Sequence, residues 1–366
     1  MKLDRYGYYL FLGYGDYHRP DKAGPDWTSA WNLKEWERRL DRLQKLGTNI
    51  LYVFMMGKEL PFPSQAFPEI VEKGHTNVEN EFFQQVLDSA NKRGIEVIAV
   101  FATTGHAGEL VKHRPHLEIK PRPEGSEAST AHLRAFPKAE AERAIHHRAG
   151  TAQVGSGILC HHQKEAQKYP LTVITECLTR YKGFSGVVLH PPEFVSACFC
   201  KDCQAMYKKA TGNDLMQASD DEARRFFMDS NLEFQKNVLE PKVDELLPGG
   251  KSFMFTIPWM FEGHFEEFER WIDKDTIIVD WDYDVAEERM AELQGRLKRY
   301  GKYGHEVWFM PSSGFAYGPD YTEQEAAVRK QVSLAEETGV NGVVYFMGPV
   351  WTRHLEPSSY FLHGAG

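Results

Sequence analysis

The chain has 366 residues, of which 42% are hydrophobic and 26% are charged. This composition is typical of a globular protein that folds in water, and no apolar run is long enough to cross a bilayer. The 43 basic and 52 acidic residues give a net charge of −9 without a basic stripe, which argues against nucleic acid as the main partner.

Apolar runs alternate with segments of helical periodicity along the chain. After the first run, Asn32 is suited to cap a helix, Trp36 and Leu40 share one helix face, and Gly47 is suited to end it. The predicted strands cover residues 6–14, 48–56, 95–103, 184–189, 252–259, 276–280, 305–310 and 342–347. The predicted helices cover residues 33–46, 79–93, 164–182, 265–272, 285–300 and 322–338, with a long helical region up to residue 247 that is broken near residues 211–213.

Eight strands that alternate with helices and are apolar throughout require a parallel sheet that is covered on both faces. Eight is also the strand number that closes into a barrel. We therefore predict an α/β fold, a single (β/α)8 TIM barrel over residues 1–366. A doubly wound open sheet is the alternative, disfavoured because no glycine-rich phosphate fingerprint follows the first strand. Residues 351–366 offer no convincing eighth helix.

A long insertion follows the third predicted strand. It covers residues 107–156 and is rich in proline, histidine, glycine and charged residues. Long connections in compact domains are usually functional. We expect this segment to form a lid over the active-site face, with short helices of its own.

The residues that follow the strands of such a barrel meet on one rim, where ligands bind. Aromatic side chains with polar tips suit sugars, although they also simply pack cores. The residues predicted to contact substrate on this rim are Tyr14, Asp16, His106, His190, Trp259, Trp281 and Trp351.

Two of the predicted strands deliver carboxylates to the rim. The fourth ends in His190-Pro191-Pro192-Glu193, and the sixth leads to Asp280, Asp282 and Asp284. Glycoside hydrolysis needs one carboxyl group that protonates the leaving oxygen and a second that attacks or activates water.

We predict Glu193 as the general acid, because its proline and phenylalanine neighbours favour a raised pKa through desolvation. Asp282 is the favoured nucleophile or base, and Asp280 is the next choice. The three aspartates share one parity along the strand, so spacing alone does not choose among them. A structural alternative is open, because acidic residues in such positions also cap helices or pair with arginines.

Three of the five cysteines lie within six positions, as Cys198-x-Cys200-x-x-Cys203. This clustering favours a metal site or a structural thiol group in a reducing compartment over a disulfide framework. A closed structural zinc site needs a fourth ligand, for which Cys160 is the candidate and His161 or His162 the substitutes. Free thiols or a redox pair are the alternatives, and Cys177 fits a buried position in a helix.

The segment 157–212 resembles the middle of barrel glycoside hydrolases of the family-42 β-galactosidase kind, and related uncharacterised families similar to glycosyl hydrolases. The resemblance rests on Cys160-His161-His162 ahead of a helix, on the run YKGFSGVV that leads to Glu193, and on CFCKDCQAMYKKATGNDL behind it. It implies a (β/α)8 fold and a zinc ion held by the three clustered cysteines with Cys160.

The sequence departs from that family in two places. Pro192 stands where the family has asparagine before the fourth-strand acid. The family takes its nucleophile from the seventh strand, but HEVWFMPSSG, residues 305–314, offers no carboxylate at the strand end. The second carboxylate is therefore expected on the sixth strand.

The sequence thus predicts a cytoplasmic glycoside hydrolase that acts on a carbohydrate and carries a structural zinc. The first residues, MKLDRYGYYLFLGYG, have no small-residue cleavage site, so no signal peptide is predicted. A homo-oligomer is compatible with the sequence. Two other functions are open: a catalytically inactive barrel that binds carbohydrate, and a metal-dependent hydrolase or lyase that uses His106, His146, His147, His161 or His162.

Overall fold

The computed structural model describes residues 3–12, 28–120, 122, 157–192, 197–256, 268–282, 287–311 and 321–348. Eight strands lie within these ranges. They are Arg5–Phe11 (β1), Ile50–Met56 (β2), Glu96–Ala102 (β3), Gly186–His190 (β4), Lys251–Thr256 (β5), Ile277–Asp280 (β6), Val307–Phe309 (β7) and Gly342–Gly348 (β8).

Each strand pairs in parallel with the next, and β1 also pairs with β8. The sheet is therefore a closed barrel in sequence order, which confirms the predicted (β/α)8 fold and rejects the open-sheet alternative. The closure leaves no strand edge, and all eight carboxyl ends lie at the same end of the barrel.

Helices separate the strands. They are Leu33–Lys45 (α1), Thr76–Asn80 (α2), Phe83–Lys92 (α3), Gly108–His113 (α4), Lys164–Arg180 (α5), Lys201–Thr211 (α6), Asp220–Phe234 (α7), Glu240–Leu246 (α8), Phe268–Trp271 (α9), Glu287–Lys302 (α10) and Tyr321–Thr338 (α11). A π-helical turn, Gln235–Leu239, joins α7 to α8. The side chain of Asn32 caps α1 by accepting a hydrogen bond from the Glu35 amide, as predicted.

One predicted helix is divided in two. We expect a single helix over residues 79–93, but α2 ends at Asn80 and the next residue, Glu81, has a left-handed φ of 50°. The side chain of Asn77 then accepts a hydrogen bond from the amide of Phe83 at the start of α3. This buried contact turns the chain between α2 and α3, and nothing in the apolar periodicity indicated it.

Aromatic rings fill the interior of the barrel. Tyr52 of β2 stacks on Trp308 of β7, with ring centroids 6.2 Å apart and an interplanar angle of 6°. Tyr9 of β1 contacts the rings of both Tyr52 and Phe255. The barrel is therefore a packed core, so a ligand can be bound only at its ends.

A second hydrophobic cluster lies beside the main core and surrounds the cysteines. We call it the cysteine core. It consists of Ile119, Ile158, Cys160, Ala197, Cys198, Phe199, Cys203, Tyr207, Leu215, Ala218, Ala223 and Phe227.

The first part of the predicted insertion, residues 107–120, carries the short helix α4 and contributes Ile119 to the cysteine core. Lys120 donates its backbone amide to the Cys198 sulfur at 3.3 Å. Residues 123–156 lie outside the described residues, so the placement of the lid over the active-site face stays a prediction.

We expect Gly186→Ala to destabilise the barrel. A Cβ atom at Gly186 in β4 would lie 2.4 Å from the carbonyl oxygen of Lys251 in β5. Because a backbone atom cannot move aside as a flexible side chain can, we expect a loss of about 1–3 kcal/mol. Urea unfolding of the variant measures it.

The matched control is Gly295→Ala in α10, where no atom lies within 4 Å of the added Cβ. Alanine is the better helix former, so this variant should gain about 0.5–1 kcal/mol. Equal effects of the two variants would contradict the described pairing of β4 with β5.

Candidate active site and cysteine cluster

The carboxyl ends of β3 and β4 bring two histidine rings together in the mouth of the barrel. His190 is the last residue of β4, and its ring contacts the interior ring of Phe255 at 5.1 Å. The ring of His106, beyond the end of β3, lies 5.7 Å from that of His190 at an interplanar angle of 87°. The structure therefore joins two residues that the sequence predicted as substrate contacts.

The backbone of His106 is held in an unfavourable conformation. Its φ is 52°, in the left-handed region that residues other than glycine seldom adopt. Such positions cost free energy and cluster at active sites and ligand clamps, where the surrounding structure maintains them. The loop after β3 is therefore a candidate functional loop, although Glu81 has a similar φ in a turn between two helices.

The loop after β3 packs against the prolines that lead to Glu193. A Cβ atom at Gly105 would lie 3.2 Å from the Cα atom of Pro192. A larger residue at this position would push the two loops apart. Glu193 itself lies outside the described residues, so its orientation is not part of this geometry.

A floor of aromatic rings lies below the two histidines. Phe54 contacts the rings of both His106 and His190. The ring of Phe11 lies 4.9 Å from that of Phe54 and 5.3 Å from that of Phe346. The mouth of the barrel therefore combines an apolar floor with the two polar imidazole rings of His106 and His190.

Asp280 faces the helix layer rather than the mouth of the barrel. The ring of Phe255 points inward, so its neighbour Thr256 points outward, and Thr256 pairs in register with Asp280. Arg296 of α10 binds both carboxylate oxygens of Asp280, at 3.0 and 3.2 Å. Asp280 is fully buried.

Asp282 belongs to the same ionic cluster, although it lies two residues beyond Asp280. Its Oδ2 atom accepts hydrogen bonds from Arg289 at 3.0 Å and from Arg296 at 3.1 Å. Burial opposes the charge of Arg296, but Asp280 and Asp282 outweigh it and raise the pKa of the guanidinium above its usual value. The side chain of Asp282 is only 4% exposed.

These contacts bear on the two alternatives for the sixth-strand aspartates. Both oxygens of Asp280 are bound by one arginine, which favours its structural role as an ion-pair partner. Asp282 lies past the strand end, and its catalytic role stays a prediction. Trp281, between the two aspartates, packs into the main core. The other predicted site residues lie outside the described residues: Tyr14, Asp16, Trp259, Asp284 and Trp351.

The four predicted metal-binding cysteines meet at one point. Their sulfur atoms all lie within 4.8 Å of one another. The Cys160 sulfur is 3.6 Å from that of Cys200 and 3.4 Å from that of Cys203. A tetrahedral ion with metal–sulfur bonds of about 2.3 Å needs sulfur atoms about 3.8 Å apart. The cluster is therefore compatible with a bound metal ion.

The thiols also affect one another's protonation. Hydrogen bonding with Cys160 is the main cause that lowers the pKa of Cys200 and raises that of Cys203. The four sulfurs cannot all ionise at such short distances unless a cation offsets their charge. A thiolate-rich group of this kind fits zinc or another soft metal ion.

The adjacent histidines face different neighbours. The Nδ1 atom of His162 lies 3.0 Å from the Cys203 sulfur, while the ring of His161 contacts Ser230 and Asn231. Burial lowers the pKa of His161 well below its usual range. Within the described ranges, the four cysteines are the only group of three or more such ligands placed to hold a metal ion. Cys177 is buried in the main core, as expected.

Sequence reasoning missed the residues that hold these two sites in place. Arg289 and Arg296 are two helical turns apart in α10, a spacing that puts them on one face. Asn231 in α7 and Gln235 directly after α7 are one turn apart, and both are fully buried. The helical spacing of these polar pairs was visible in the sequence, but their burial was not.

The described helices are all too short or too polar to cross a membrane. The closed barrel with helices between its strands is a (β/α)8 barrel, a fold that solved glycoside hydrolases share. No family model matches the chain, and no curated protein matches it.

Several solved structures share the fold. An exo-β-N-acetylglucosaminidase from Vibrio harveyi, solved as an inactive mutant, is 13% identical, with a TM-score of 0.60 over 99% of this chain and 54% of its own. An α-L-fucosidase from Paenibacillus thiaminolyticus is 15% identical, with a TM-score of 0.63 over 100% of this chain and 48% of its own. A β-galactosidase from Halorubrum lacusprofundi is 12% identical, with a TM-score of 0.60 over 93% and 52%.

The chain spans about half the length of these three proteins. At such low identity the likeness shows the fold alone. It is the same barrel that the sequence resemblance implied.

We expect Cys200→Ser to lower both metal content and stability. A hydroxyl is a poor ligand for a soft metal ion, so the bound metal should fall by more than about tenfold. Elemental analysis of protein purified without added metal measures the content, about one ion per chain in the parent. Cys177→Ala is the control and should keep the metal. Equal metal in Cys200→Ser and the parent would contradict a four-cysteine site.

We also expect His106→Gly to be more stable than His106→Ala by about 1–2 kcal/mol, because only glycine adopts the left-handed conformation without strain. Both variants lack the imidazole, so the comparison isolates the backbone. Chemical unfolding measures the difference. If alanine were as stable as glycine at this position, the backbone would not be strained.

Proposed function

We propose that this chain is a glycoside hydrolase whose active site is the mouth of the barrel. One observation carries the proposal: His106 and His190 lie over an aromatic floor at the carboxyl ends of β3 and β4. A sugar has an apolar ring face and hydroxyl groups at its edge, which suit an apolar floor with polar tips. The barrel shared with solved glycosidases supports the same function.

The proposed catalytic pair is Glu193 as general acid and Asp282 as nucleophile or base. Asp280 is the less favoured choice, because Arg296 binds both of its oxygens. Arg289 and Arg296 offset the negative charge that the neighbouring aspartates would otherwise accumulate. Carboxyl groups about 5–5.5 Å apart would give retention, and groups roughly 6.5–9.5 Å apart would give inversion.

The proposed substrate is a carbohydrate, bound as a glycoside or an oligosaccharide. His106 and His190 would contact its hydroxyl groups, and the floor would pack against a sugar ring. Further contacts are proposed for the predicted rim residues, Tyr14, Asp16, Trp259, Trp281 and Trp351. The names of the solved neighbours suggest a first panel of β-N-acetylhexosaminides, α-L-fucosides and β-galactosides.

The proposed metal is a structural zinc held by Cys160, Cys198, Cys200 and Cys203. Four thiolates leave no open position for a substrate, so the ion would stabilise the cysteine core rather than take part in hydrolysis. Reduced cysteines persist in a reducing compartment, which supports a cytoplasmic location.

A second candidate function is a barrel that binds carbohydrate without cleaving it. The ionic cluster favours this alternative, because both described aspartates are bound by arginines and nearly or fully buried. If the chain binds sugars but hydrolyses none of the β-N-acetylhexosaminides, α-L-fucosides and β-galactosides tested, the result supports a carbohydrate-binding barrel. A chelator that abolishes turnover without unfolding the chain would instead favour a metal-dependent hydrolase or lyase.

Glu193→Gln tests the chemistry. General acid catalysis contributes typically 10²–10⁴-fold, so turnover of natural oligosaccharides should fall by about that factor. Activated aryl glycosides need less protonation of the leaving group and should be affected less. Steady-state kinetics on both substrate types measure the difference.

The control is Glu337→Gln on the exposed face of α11, which should leave turnover unchanged. Full activity of Glu193→Gln on natural glycosides would reject Glu193 as the acid. Asp282→Asn should abolish turnover while the chain stays folded, whereas loss of folding in step with activity would mark Asp282 as a structural residue.

A further inference from the structure

A chain of buried polar side chains joins the cysteine cluster to the loop after β3, which we call the β3 loop (residues 103–106). Asn231 of α7 lies at its centre. Its Nδ2 atom donates to the Thr104 hydroxyl at 2.9 Å and to Nδ1 of His161 at 3.3 Å. His161 immediately follows Cys160 in sequence, so one amide contacts both the rim of the barrel and the edge of the metal site.

Gln235 provides a parallel link. Its Nε2 atom donates to the Thr103 hydroxyl at 2.9 Å and to Oδ1 of Asn231 at 3.1 Å. The Thr103 hydroxyl in turn donates to the carbonyl oxygen of His190 at 3.2 Å. Gln235 is therefore connected to both histidine-bearing strand ends of the candidate active site.

The backbone makes a third connection. The amide of Leu159 donates to the carbonyl oxygen of Thr104 at 2.8 Å, and Cys160 is the next residue. The β3 loop thus contacts the metal-site segment through main chain and side chain at one point. A shift of Cys160 must therefore move Thr104 or break the hydrogen bond between Leu159 and Thr104.

One assignment of donors and acceptors accounts for the hydrogen bonds that this network makes. The two Nδ2 hydrogens of Asn231 are used by Thr104 and His161, which makes Nδ1 of His161 an acceptor and Nε2 a donor to the Ser230 hydroxyl. The Asn231 oxygen accepts from Gln235. Thr103, Thr104, Asn231 and Gln235 are all fully buried. The Oε1 atom of Gln235 is buried without a hydrogen-bond partner among the described residues, while the hydrogen bonds that are made tie these four side chains together.

Local helix geometry supports a functional role for the network. Asn231 and Gln235 are one turn apart, and Gln235 begins the π-helical turn between α7 and α8. Turns of this kind are rare and frequently lie at functional sites. The network reaches Thr104, two residues before His106, whose backbone has a left-handed φ.

We propose that Asn231 and Gln235 are positioning residues that couple the cysteine cluster to the β3 loop, so that a metal ion bound by the four cysteines sets the orientation of His106. The ion lies outside the reaction and acts through the two amides. The catalytic consequence depends on the proposed function, but the coupling itself is a property of the fold. Because coupling between two sites is reciprocal, a change in the β3 loop must also change metal affinity.

Thr104→Val is the sharpest test, because it replaces the hydroxyl that binds Asn231 by a methyl group and leaves the cysteines untouched. Thr48→Val is the matched control: Thr48 is also buried, and its hydroxyl has no hydrogen-bond partner among the described residues. Asn231→Leu removes the centre of the network. Asn77→Leu is its control, since Asn77 is equally buried and makes three hydrogen bonds elsewhere.

Two measurements on the full chain use Zn²⁺ as the probe. The first is Zn²⁺ affinity, by competition with a chromogenic chelator. The second is the position of the His106 ring signals in NMR spectra of protein labelled with ¹⁵N-histidine, assigned by their loss in His106→Gln. Neither measurement depends on turnover. Thermal unfolding shows whether each variant is folded.

We expect Thr104→Val and Asn231→Leu to lower Zn²⁺ affinity by about 10–100-fold, the usual effect of residues that orient metal ligands. Both variants should shift the His106 signals in the same direction as Zn²⁺ removal from the parent. Thr48→Val and Asn77→Leu should leave affinity and signals unchanged, although Asn77→Leu should lower the melting temperature.

The proposal is overturned if Zn²⁺ removal leaves the His106 signals in place, if Thr104→Val binds Zn²⁺ as the parent does, or if the parent binds no Zn²⁺. If Asn231→Leu fails to fold, Thr104→Val decides alone. If Zn²⁺ binding and the His106 signals are coupled but the chain hydrolyses no glycoside, the proposed function is rejected and this inference stands. If the chain hydrolyses glycosides but Zn²⁺ binding and the His106 signals are independent, this inference is rejected and the proposed function stands.

Discussion

The closed hydrogen-bond ladder of the barrel is the constraint on which the rest of the structure depends. Because β1 pairs with β8, all eight carboxyl ends are held on one rim, and the alternation of side chains along each strand fixes which of them enter it. His190 and Asp280 both end a strand, yet His190 faces the mouth and Asp280 faces α10. Closure therefore separates residues that could bind a ligand from residues that hold the helix layer.

The charges on the outer face of β6 carry a cost that the fold must offset. A buried aspartate is tolerated only when it is paired and hydrogen-bonded, and Arg296 does both for Asp280 through a two-pronged contact. The same guanidinium reaches Asp282, so α10 fixes the chain on either side of Trp281. This cluster gives β6, a strand of four residues, a rigid attachment that its short ladder alone could not provide.

The cysteine core is the other part of the molecule where ionisable side chains are buried. It is a small hydrophobic cluster beside a large one, and four thiols lie at its centre, where a bound cation would replace the missing apolar contacts. The hydrogen bonds of Asn231 and Gln235 join this small core to the end of β3, at the mouth of the barrel. The cysteine cluster and the loop after β3 are thus joined by hydrogen bonds rather than merely adjacent.

The sequence by itself determined the barrel and the four cysteines. Eight apolar runs of strand length, separated by helices, predict a closed parallel barrel. The spacing of the clustered cysteines can be read directly from the sequence. Only the tertiary structure decided the directions of side chains at the strand ends. The sequence shows that Asp280 lies on the same side of its strand as Asp282, but it does not show whether that side faces the barrel interior or the helix layer. That direction depends on β6 lying against α10, and the burial of Asn231 depends on α7 lying against the β3 loop. Both are long-range contacts, which local sequence patterns do not contain.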